Sequence, residues 1–214
     1  MKGIKVIAML SMFIFAGILA SGVISEAATH EDHLEVLLEE LPVGVLTETE
    51  KSGILYLREE EKLARDLYAA FYEKWGVRTF SQISGSEENH MDSMKLLIDR
   101  YGLKDPVLPE AGKFSDKKLQ GIYDDLLAKG LVSRGEALKV AAMVEEMDIM
   151  DFREEQKKTD KPDLLAVYEN LERGSRNHLR AFGRQLNKEN IRYEAQFLAQ
   201  EEVDAIMTSP NERD

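Results

Sequence analysis

Cysteine is absent from this 214-residue chain, and only five prolines interrupt it. Without cysteine the protein has no disulfide framework for use outside the cytoplasm and no lipid anchor attached through that residue. Alternating β-branched runs between turn residues are scarce too, whereas the helix-favouring residues Leu, Glu, Lys, Ala and Met are abundant. The sequence therefore predicts one all-α domain that is stabilised by packing or by bound metal.

Basic residues are the second shortage. The chain has 28 Lys and Arg against 40 Asp and Glu, which gives a formal net charge of −12 at pH 7. Nucleic-acid binding depends on basic patches that release counterions from phosphates, so no nucleic-acid partner is expected. Most of the scattered acids serve solubility, but an acidic protein also attracts cations, and metal ions are the expected partners.

Residues 1–27 have the pattern of a targeting segment. Lys2 and Lys5 supply a positively charged start, and an almost wholly apolar run follows over residues 6–24. Small residues then occupy positions typical of a cleavage site, yet the apolar run is also about long enough to span a bilayer. We therefore predict a signal peptide or a membrane anchor. The protein would be exported, either secreted or anchored to the outer face of the cytoplasmic membrane.

Helix caps and turn residues divide the remaining chain into three parts. Residues 28–46 are predicted to form an accessory N-terminal helix, and residues 188–214 a C-terminal helical tail. Residues 47–187 carry two pairs of long helices separated by about thirty residues, the layout of a ferritin-like four-helix bundle with one long crossover. The long helices are expected from Thr47 or Thr49 to Trp75, over 79–101, from Ser133 to about 155 and from Pro162 to about 187, with a shorter helix capped by Ser115 in the connection.

Each long helix has an apolar stripe that acidic residues or histidines interrupt. The interruptions are Glu61 on the first helix, Glu87 and His90 on the second, Glu145 and Asp148 on the third, and His178 on the fourth. In an antiparallel bundle these six side chains can meet in one buried layer. Four buried carboxylates repel one another unless protons or cations neutralise them, and two divalent ions balance four negative charges. We therefore predict two metal ions with carboxylate and imidazole ligands, which suit iron and also allow manganese or zinc.

The same residues have simpler interpretations when each is taken alone. A single Glu61 could lie on a solvated helix face, and a single His178 could be a hydrogen-bonded core histidine. The acidic neighbours of the six are expected to point into solvent: Glu59, Glu60, Glu88 and Glu146. Tyr68 and Tyr168 are expected to pack in the core, where their hydroxyl groups could also reach the ligands.

Four stretches of the sequence resemble a known family. They are Arg58–Tyr68, Glu87–Met91, Glu145–Ile149 and Gly174–Phe182, and over roughly residues 47–186 the chain resembles the ferritin-like family catalogued as domain of unknown function 2202. Glu61-x-x-Ala64-x-x-x-Tyr68 and Glu87-x-x-His90 are also similar to rubrerythrin-type di-iron proteins, which implies a metal centre with redox or iron chemistry. Ser175 departs from that pattern, because the fourth helix of such sites typically supplies a Glu there. Asp148 is expected to replace it.

These features predict a di-iron, or related di-metal, carboxylate protein with redox or metal-oxidising chemistry outside the cytoplasm and with oxygen or peroxide as the oxidant. In the expected site Glu61 and Glu145 bridge or cap the pair, Glu87 with His90 holds one ion, and Asp148 with His178 holds the other. The alternative is a non-catalytic metal-binding protein or a metal-free helical interaction module whose polar layer fixes helix register. The sequence leaves both alternatives open, as it does the oligomeric state.

Overall fold

The computed structural model describes residues 30–213, and within them the regular structure is entirely helical, which confirms the all-α prediction. The described chain has seven helices: α1 (His30–Glu40), α2 (Glu48–Trp75), α3 (Arg78–Arg100), α4 (Lys117–Gly130), α5 (Arg134–Gln156), α6 (Pro162–Lys188) and α7 (Gln200–Thr208). None of these helices is long and apolar enough to cross a membrane. The predicted targeting segment, residues 1–27, lies outside the described range.

Four long helices pack around a common interior. α2 lies along α3, and α5 lies along α6. The two pairs meet through contacts of α2 with α5 and of α3 with α6. The short helices cover this arrangement, because α4 packs on α2 and α5, α7 packs on α6, and α1 packs on α3.

Local signals set both ends of α2. The backbone N–H of Thr47 donates to the Glu50 carboxylate at 2.8 Å, and the N–H of Glu50 donates to the Thr47 hydroxyl at 3.2 Å, which is a capping box. Gly76 ends the helix in the left-handed conformation, with φ 67°, and donates its N–H to the carbonyl of Tyr72. Because only Gly76 and Val77 separate α2 from α3, the chain turns back immediately, as predicted.

The connection between the two helix pairs differs from the prediction at one cap. Asp116, and not Ser115, caps α4, since its carboxylate accepts the N–H groups of Lys118 and Leu119. A carboxylate also interacts more favourably than a hydroxyl with the positive end of a helix dipole. Ser115 instead fixes the connection, because its hydroxyl donates to the carbonyl of Pro106 at 2.6 Å.

The C-terminal tail is helical over a smaller part than the predicted 188–214. α6 ends at Lys188, residues 189–199 have no helix, and α7 occupies Gln200–Thr208. Asn190 turns the chain after α6 with a positive φ of 57°, a conformation that asparagine tolerates better than most residues. The non-helical stretch then runs across α5, where its backbone contacts Glu146.

The buried apolar residues of the described chain form two clusters along the long helices. α2 contributes Leu57 to one cluster and Leu63 to the other, and Glu61 lies between them. Each of the other long helices likewise contributes residues to both clusters. Polar side chains are buried near the point where each helix passes from one cluster to the other. The predicted site therefore lies between two apolar regions.

Candidate metal centre

The structure brings the six predicted side chains together in one buried layer. They are Glu61, Glu87, His90, Glu145, Asp148 and His178, and the most exposed of them, His90, is only 8% exposed. Close contacts join five of the six. The sixth, Asp148, interacts electrostatically with the three other carboxylates.

Glu87 lies at the centre of the layer, between the two histidines. Its Oε2 is 2.9 Å from Nδ1 of His90, and its Oε1 is 2.8 Å from Nδ1 of His178. The imidazole rings are stacked, with their centroids 5.0 Å apart. Both rings therefore present the same nitrogen, Nδ1, to one carboxylate.

Glu61 and Glu145 each stand beside a different histidine. Oε2 of Glu61 is 3.1 Å from Nδ1 of His90, and Oε2 of Glu145 is 3.4 Å from Nδ1 of His178. The other oxygen of Glu145, Oε1, accepts a hydrogen bond from the hydroxyl of Tyr68 at 2.7 Å. The layer thus consists of two similar halves, each with one carboxylate and one histidine, that share Glu87.

The second nitrogen of each imidazole faces other parts of the protein. Nε2 of His178 lies 2.8 Å from the hydroxyl oxygen of Ser86. Nε2 of His90 lies against Gly174, where any Cβ would overlap the ring. Outer contacts of this kind fix the orientation of metal-binding histidines.

Several polar atoms of the layer make no hydrogen bond. The following atoms are buried and have no hydrogen-bond partner among the described residues: both oxygens of Asp148, both oxygens of Glu87, Oε2 of Glu145 and Nδ1 of His178. The 2.8 Å approach of His178 to Glu87 is therefore a close contact without hydrogen-bond alignment. Within the described residues no Lys or Arg pairs with any of the six. The layer therefore has no permanently charged positive partner in the described part of the chain.

Burial shifts the carboxylate pKa values upward. It raises the pKa of Glu61 to about 7, although the charge of His90 opposes the shift. Burial and then the charge of Glu87 raise the pKa of Glu145 to about 7. Burial and then the charge of Glu61 hold the pKa of Asp148 well above its usual range.

The pKa values of the two histidines and of Glu87 shift in the directions that favour the charged forms of these groups. Burial lowers the pKa of His90, but the carboxylates of Glu87 and Glu61 outweigh it and raise that pKa to about 9. Burial lowers the pKa of His178 too, but the charges of Glu87 and Glu145 outweigh burial and hold this pKa well above its usual range. Burial opposes the ionisation of Glu87, yet the charges of His178 and His90 keep the pKa of Glu87 below its usual range. Two protonated histidines balance two of the four carboxylates, and the raised pKa values of Glu61, Glu145 and Asp148 show that the others retain protons, which cations can replace.

Comparison with known proteins identifies the family. The sequence profile of the uncharacterized protein domain DUF2202 matches residues 50–210. The chain belongs to the DUF2202 family. This confirms the resemblance found in the four sequence stretches.

Two relatives extend the comparison. The uncharacterized protein MJ0754 of Methanocaldococcus jannaschii is 44% identical over 177 residues, which cover 82% of this chain and 96% of the relative. The crystal structure of hypothetical protein MJ0754 from Methanococcus jannaschii matches with a TM-score of 0.78 and 44% sequence identity, over 80% of this chain and 99% of that chain. The helical arrangement described above therefore agrees with an experimental structure.

In this DUF2202 chain the grouping of side chains differs from the expected one. Glu87 contacts both histidines and not His90 alone, and the carboxylate beside His178 is Glu145 and not Asp148. Asp148 follows Glu145 by three residues, which moves it about 4.5 Å along α5. Its strongest electrostatic neighbours are accordingly Glu61 and Glu60 on α2.

Ser175 and the two core tyrosines are buried as well. The hydroxyl of Ser175 donates to the carbonyl of Leu171 at 3.2 Å, so the position expected to lack a Glu has only a local hydrogen bond. Tyr68 reaches the layer through Glu145. Tyr168 packs near Phe152, and its hydroxyl is buried and has no hydrogen-bond partner in the range that the structure describes.

The prediction that four neighbouring acids point into solvent is wrong for three of them: Glu59, Glu60 and Glu146. Glu59 accepts the backbone N–H groups of Ser115 and Asp116, and therefore fixes the start of α4 on α2. Only Glu88 is exposed, as predicted, and it pairs with Arg65 at 2.6 Å. The sequence pattern did not identify Glu60 as a buried carboxylate.

Glu146 is buried because the tail covers it. Its carboxylate accepts the backbone N–H groups of Gln196, Phe197 and Leu198 at 3.0 Å each, and it also accepts the hydroxyl of Tyr193. Backbone donors therefore satisfy this carboxylate fully. Glu146 and its neighbour Glu145 are both buried, but only Glu145 belongs to the buried layer with the two histidines.

Proposed function

We propose that this DUF2202 protein is a di-iron, or related di-metal, carboxylate protein in which the four long helices form a ferritin-like bundle. The observation that supports the proposal is the composition of the buried layer. Four carboxylates meet two histidines, and among the described residues five carboxylate oxygens of the layer accept no well-aligned hydrogen bond. Buried charges of one sign are strongly destabilising unless a cation or protons compensate them.

The donor set fits two ions. In the proposed centre Glu61 and His90 would hold one ion, Glu145 and His178 the other, and Glu87 would serve both, with Asp148 completing the set. Mixed carboxylate and imidazole donors suit iron, with manganese or zinc as alternatives. When bound, two iron ions would supply electron transfer to oxygen or peroxide, which is the basis of a ferroxidase or oxidoreductase activity.

The surrounding side chains would prepare the layer for this chemistry. Tyr68 orients Glu145, and Ser86 orients His178, so both ligands are held before any ion arrives. The two apolar clusters would keep bulk water away from the layer. A pocket of about 250 Å³ includes His90 and His178 in its lining and would admit a small oxidant.

We also propose that the protein works outside the cytoplasm, either secreted or attached to the outer face of the cytoplasmic membrane. Support comes from the basic, then apolar, pattern of residues 1–27. Cell fractionation with N-terminal sequencing of the mature chain tests this. A cytoplasmic protein that keeps residues 1–27 would contradict it.

Metal content is the first test of the centre. Elemental analysis of wild-type protein purified without chelator should give about two transition-metal ions per chain. Glu87→Gln should lose most of this metal, whereas Glu73→Gln, the same change at an exposed site on α2, should keep it. The proposal would be refuted if the wild-type protein contained no metal and its melting temperature changed neither with chelator nor with added metal.

A count near one ion would instead favour a mononuclear site. Glu87, His90 and His178 offer ligand atoms that all lie within 4.8 Å of one another, which suits a single ion. Glu61→Gln and Glu145→Gln would then leave the metal count unchanged. In the dinuclear centre, each of these variants should reduce it.

Oxygen consumption after addition of ferrous iron separates an enzyme from a metal store. Wild-type protein should consume oxygen faster than buffer does, and Glu87→Gln should lose this acceleration. If wild-type protein binds two ions and consumes oxygen no faster than buffer, the non-catalytic alternative is correct.

A further inference from the structure

Glu60 is a buried carboxylate that the proposed centre does not use. It follows Glu61 on α2, and its side chain is only 1% exposed. Neither of its carboxylate oxygens accepts a hydrogen bond from any described residue. Burying such a group without a donor is unfavourable, so a compensating partner is needed.

The polar group beside Glu60 is another acid. The carboxyl group of Asp151 on α5 lies within hydrogen-bonding reach of Glu60. Asp151 is half-buried, whereas Asp148, one turn earlier on the same helix, is fully buried in the layer and interacts with Glu60 through charge. Asp151, Glu60 and Asp148 therefore form a line of carboxylates from the surface to the layer.

Two adjacent carboxyl groups must share either a proton or a cation. Burial and then the charge of Asp151 hold the pKa of Glu60 well above its usual range. The exposed Lys118 interacts with both acids through charge, and Lys158 interacts with Asp151 in the same way. Within the described residues neither lysine forms an ion pair with Glu60 or Asp151, and Lys158 pairs with Glu155 at 2.7 Å. The ammonium group of Lys118 lies instead over the ring of Tyr56, 5.3 Å from the centroid. The described part of the chain thus supplies no ion-paired positive partner for Glu60 or Asp151.

We propose that Glu60 and Asp151 form a third divalent-cation site, outside the central layer, through which cations pass to Asp148 and the layer. Its donors are all carboxylate oxygens, which favour hard divalent ions such as Mn²⁺ or Fe²⁺. The evidence for the site itself comes from Glu60 and Asp151 alone. Only the onward transfer rests on the proposed function.

Mn²⁺ titration of metal-free, full-length protein tests the site, with free Mn²⁺ measured by electron paramagnetic resonance. Wild-type protein should bind about three Mn²⁺ ions per chain, two in the layer and one outside it. Glu60→Gln and Asp151→Asn should each bind about two. In stopped-flow experiments both variants should load the layer about tenfold more slowly or worse, because a cleft lined with one sign of charge raises association rates.

Glu73→Gln serves as the matched control, since it removes an exposed carboxylate from the same helix. It should bind and load Mn²⁺ as the wild-type protein does. Circular dichroism and melting of the metal-free variants verify folding. Glu60→Gln should melt no lower than the wild-type protein, because neither oxygen of Glu60 accepts a hydrogen bond from the described residues that the amide would lose.

The outcomes separate this inference from the central di-metal proposal. If Glu60→Gln and Asp151→Asn keep the wild-type count and loading rate, while Glu87→Gln loses ions, only the outer site is refuted. If wild-type protein binds one ion that Glu60→Gln loses and Glu87→Gln keeps, the outer site stands and the central layer is refuted. Wild-type protein that binds no Mn²⁺ refutes both.

Discussion

The hydroxyl of Tyr68 donates a hydrogen bond to Oε1 of Glu145 at 2.7 Å, although the two residues are 77 positions apart. Burial and then the charge of Glu145 hold the pKa of Tyr68 well above its usual range, so the hydroxyl keeps its proton and remains a donor. The bond leaves Oε2 of Glu145 on the side of His178. Tyr68 is therefore a positioning residue for one proposed ligand.

Tyr68→Phe should weaken metal binding without changing the fold. The substitution leaves Oε1 of Glu145 without its donor, and loss of a ligand-orienting contact typically lowers metal affinity about 10- to 100-fold. Competition with a chelator measures this affinity. Tyr168→Phe is the control, because its buried hydroxyl makes no hydrogen bond. Equal affinity in the two variants would contradict a positioning role for Tyr68.

Gly174→Ala should displace His90. A Cβ at position 174 would overlap the imidazole near Nε2, so the ring must leave its present position beside Glu61 and Glu87. We expect metal affinity to fall by about tenfold or more. Gly85→Ala is the matched control, because a Cβ there meets no atom, and it should raise stability by about 0.5–1 kcal/mol. Unchanged metal affinity in Gly174→Ala would show that His90 is not a ligand.

Glu145→Gln and Glu146→Gln should have opposite effects, although the two residues are adjacent and both fully buried. Glu146→Gln weakens hydrogen bonds from three backbone N–H groups and should lower the free energy of unfolding by about 2–3 kcal/mol while the metal count stays unchanged. Glu145→Gln should lose metal, and without metal it should be at least as stable as the wild-type protein. Metal analysis and thermal melting distinguish them. Loss of metal in Glu146→Gln alone would reverse our choice of ligand.

The metal-free protein should become less stable as the pH rises from about 4.5 to 9. The pKa values of Glu61 and Glu145 are raised from 4.5 to about 7, and that of His90 from 6.5 to about 9. Each group binds its proton more tightly in the folded chain. The resulting stability is present below the unfolded pKa and is lost as the pH passes the folded one, with a slope of about 1.4 kcal/mol per pH unit for each proton.

Metal should reverse this pH dependence, because ions compete with those protons. Melting curves of metal-free and metal-loaded protein between pH 5 and about pH 8.5 measure the stability of both forms. Calorimetry in two buffers of different ionisation enthalpy should detect proton release when metal binds at about pH 7. Uptake of protons, or a metal-free protein that gains stability with rising pH, would contradict the prediction.

Local sequence signals predicted the helices well because helix ends depend on neighbouring residues. The caps act within one turn of their helices: Thr47 with Glu50 begins α2, Gly76 ends α2, and Ser133 begins α5. Ser115 was mistaken for a cap because Asp116 stands beside it and is the better acceptor. The sequence therefore predicted the helix ends and the polar residues that interrupt the apolar stripes.

The burial of Glu59, Glu60 and Glu146 could not be predicted from the residues of their own helices. Glu59 is buried by backbone groups 56 and 57 positions away, and Glu146 by groups 50 to 52 positions away. Helical periodicity predicts one apolar face per helix, but here the connection and the tail cover a second face of α2 and α5. The grouping of side chains around Glu87 depends on side-chain positions in four helices, which periodicity does not specify.

The placement of the charged layer between two apolar clusters has a consequence for how the molecule unfolds. Without ions, the layer adds little stabilising interaction between the two apolar clusters. Thermal transitions of the metal-free protein should therefore broaden and lose cooperativity. With ions, ligands on all four long helices would be tied together, and unfolding would become a single event. Because proteases attack partly unfolded chains, the steady-state abundance of the protein would then follow the supply of metal.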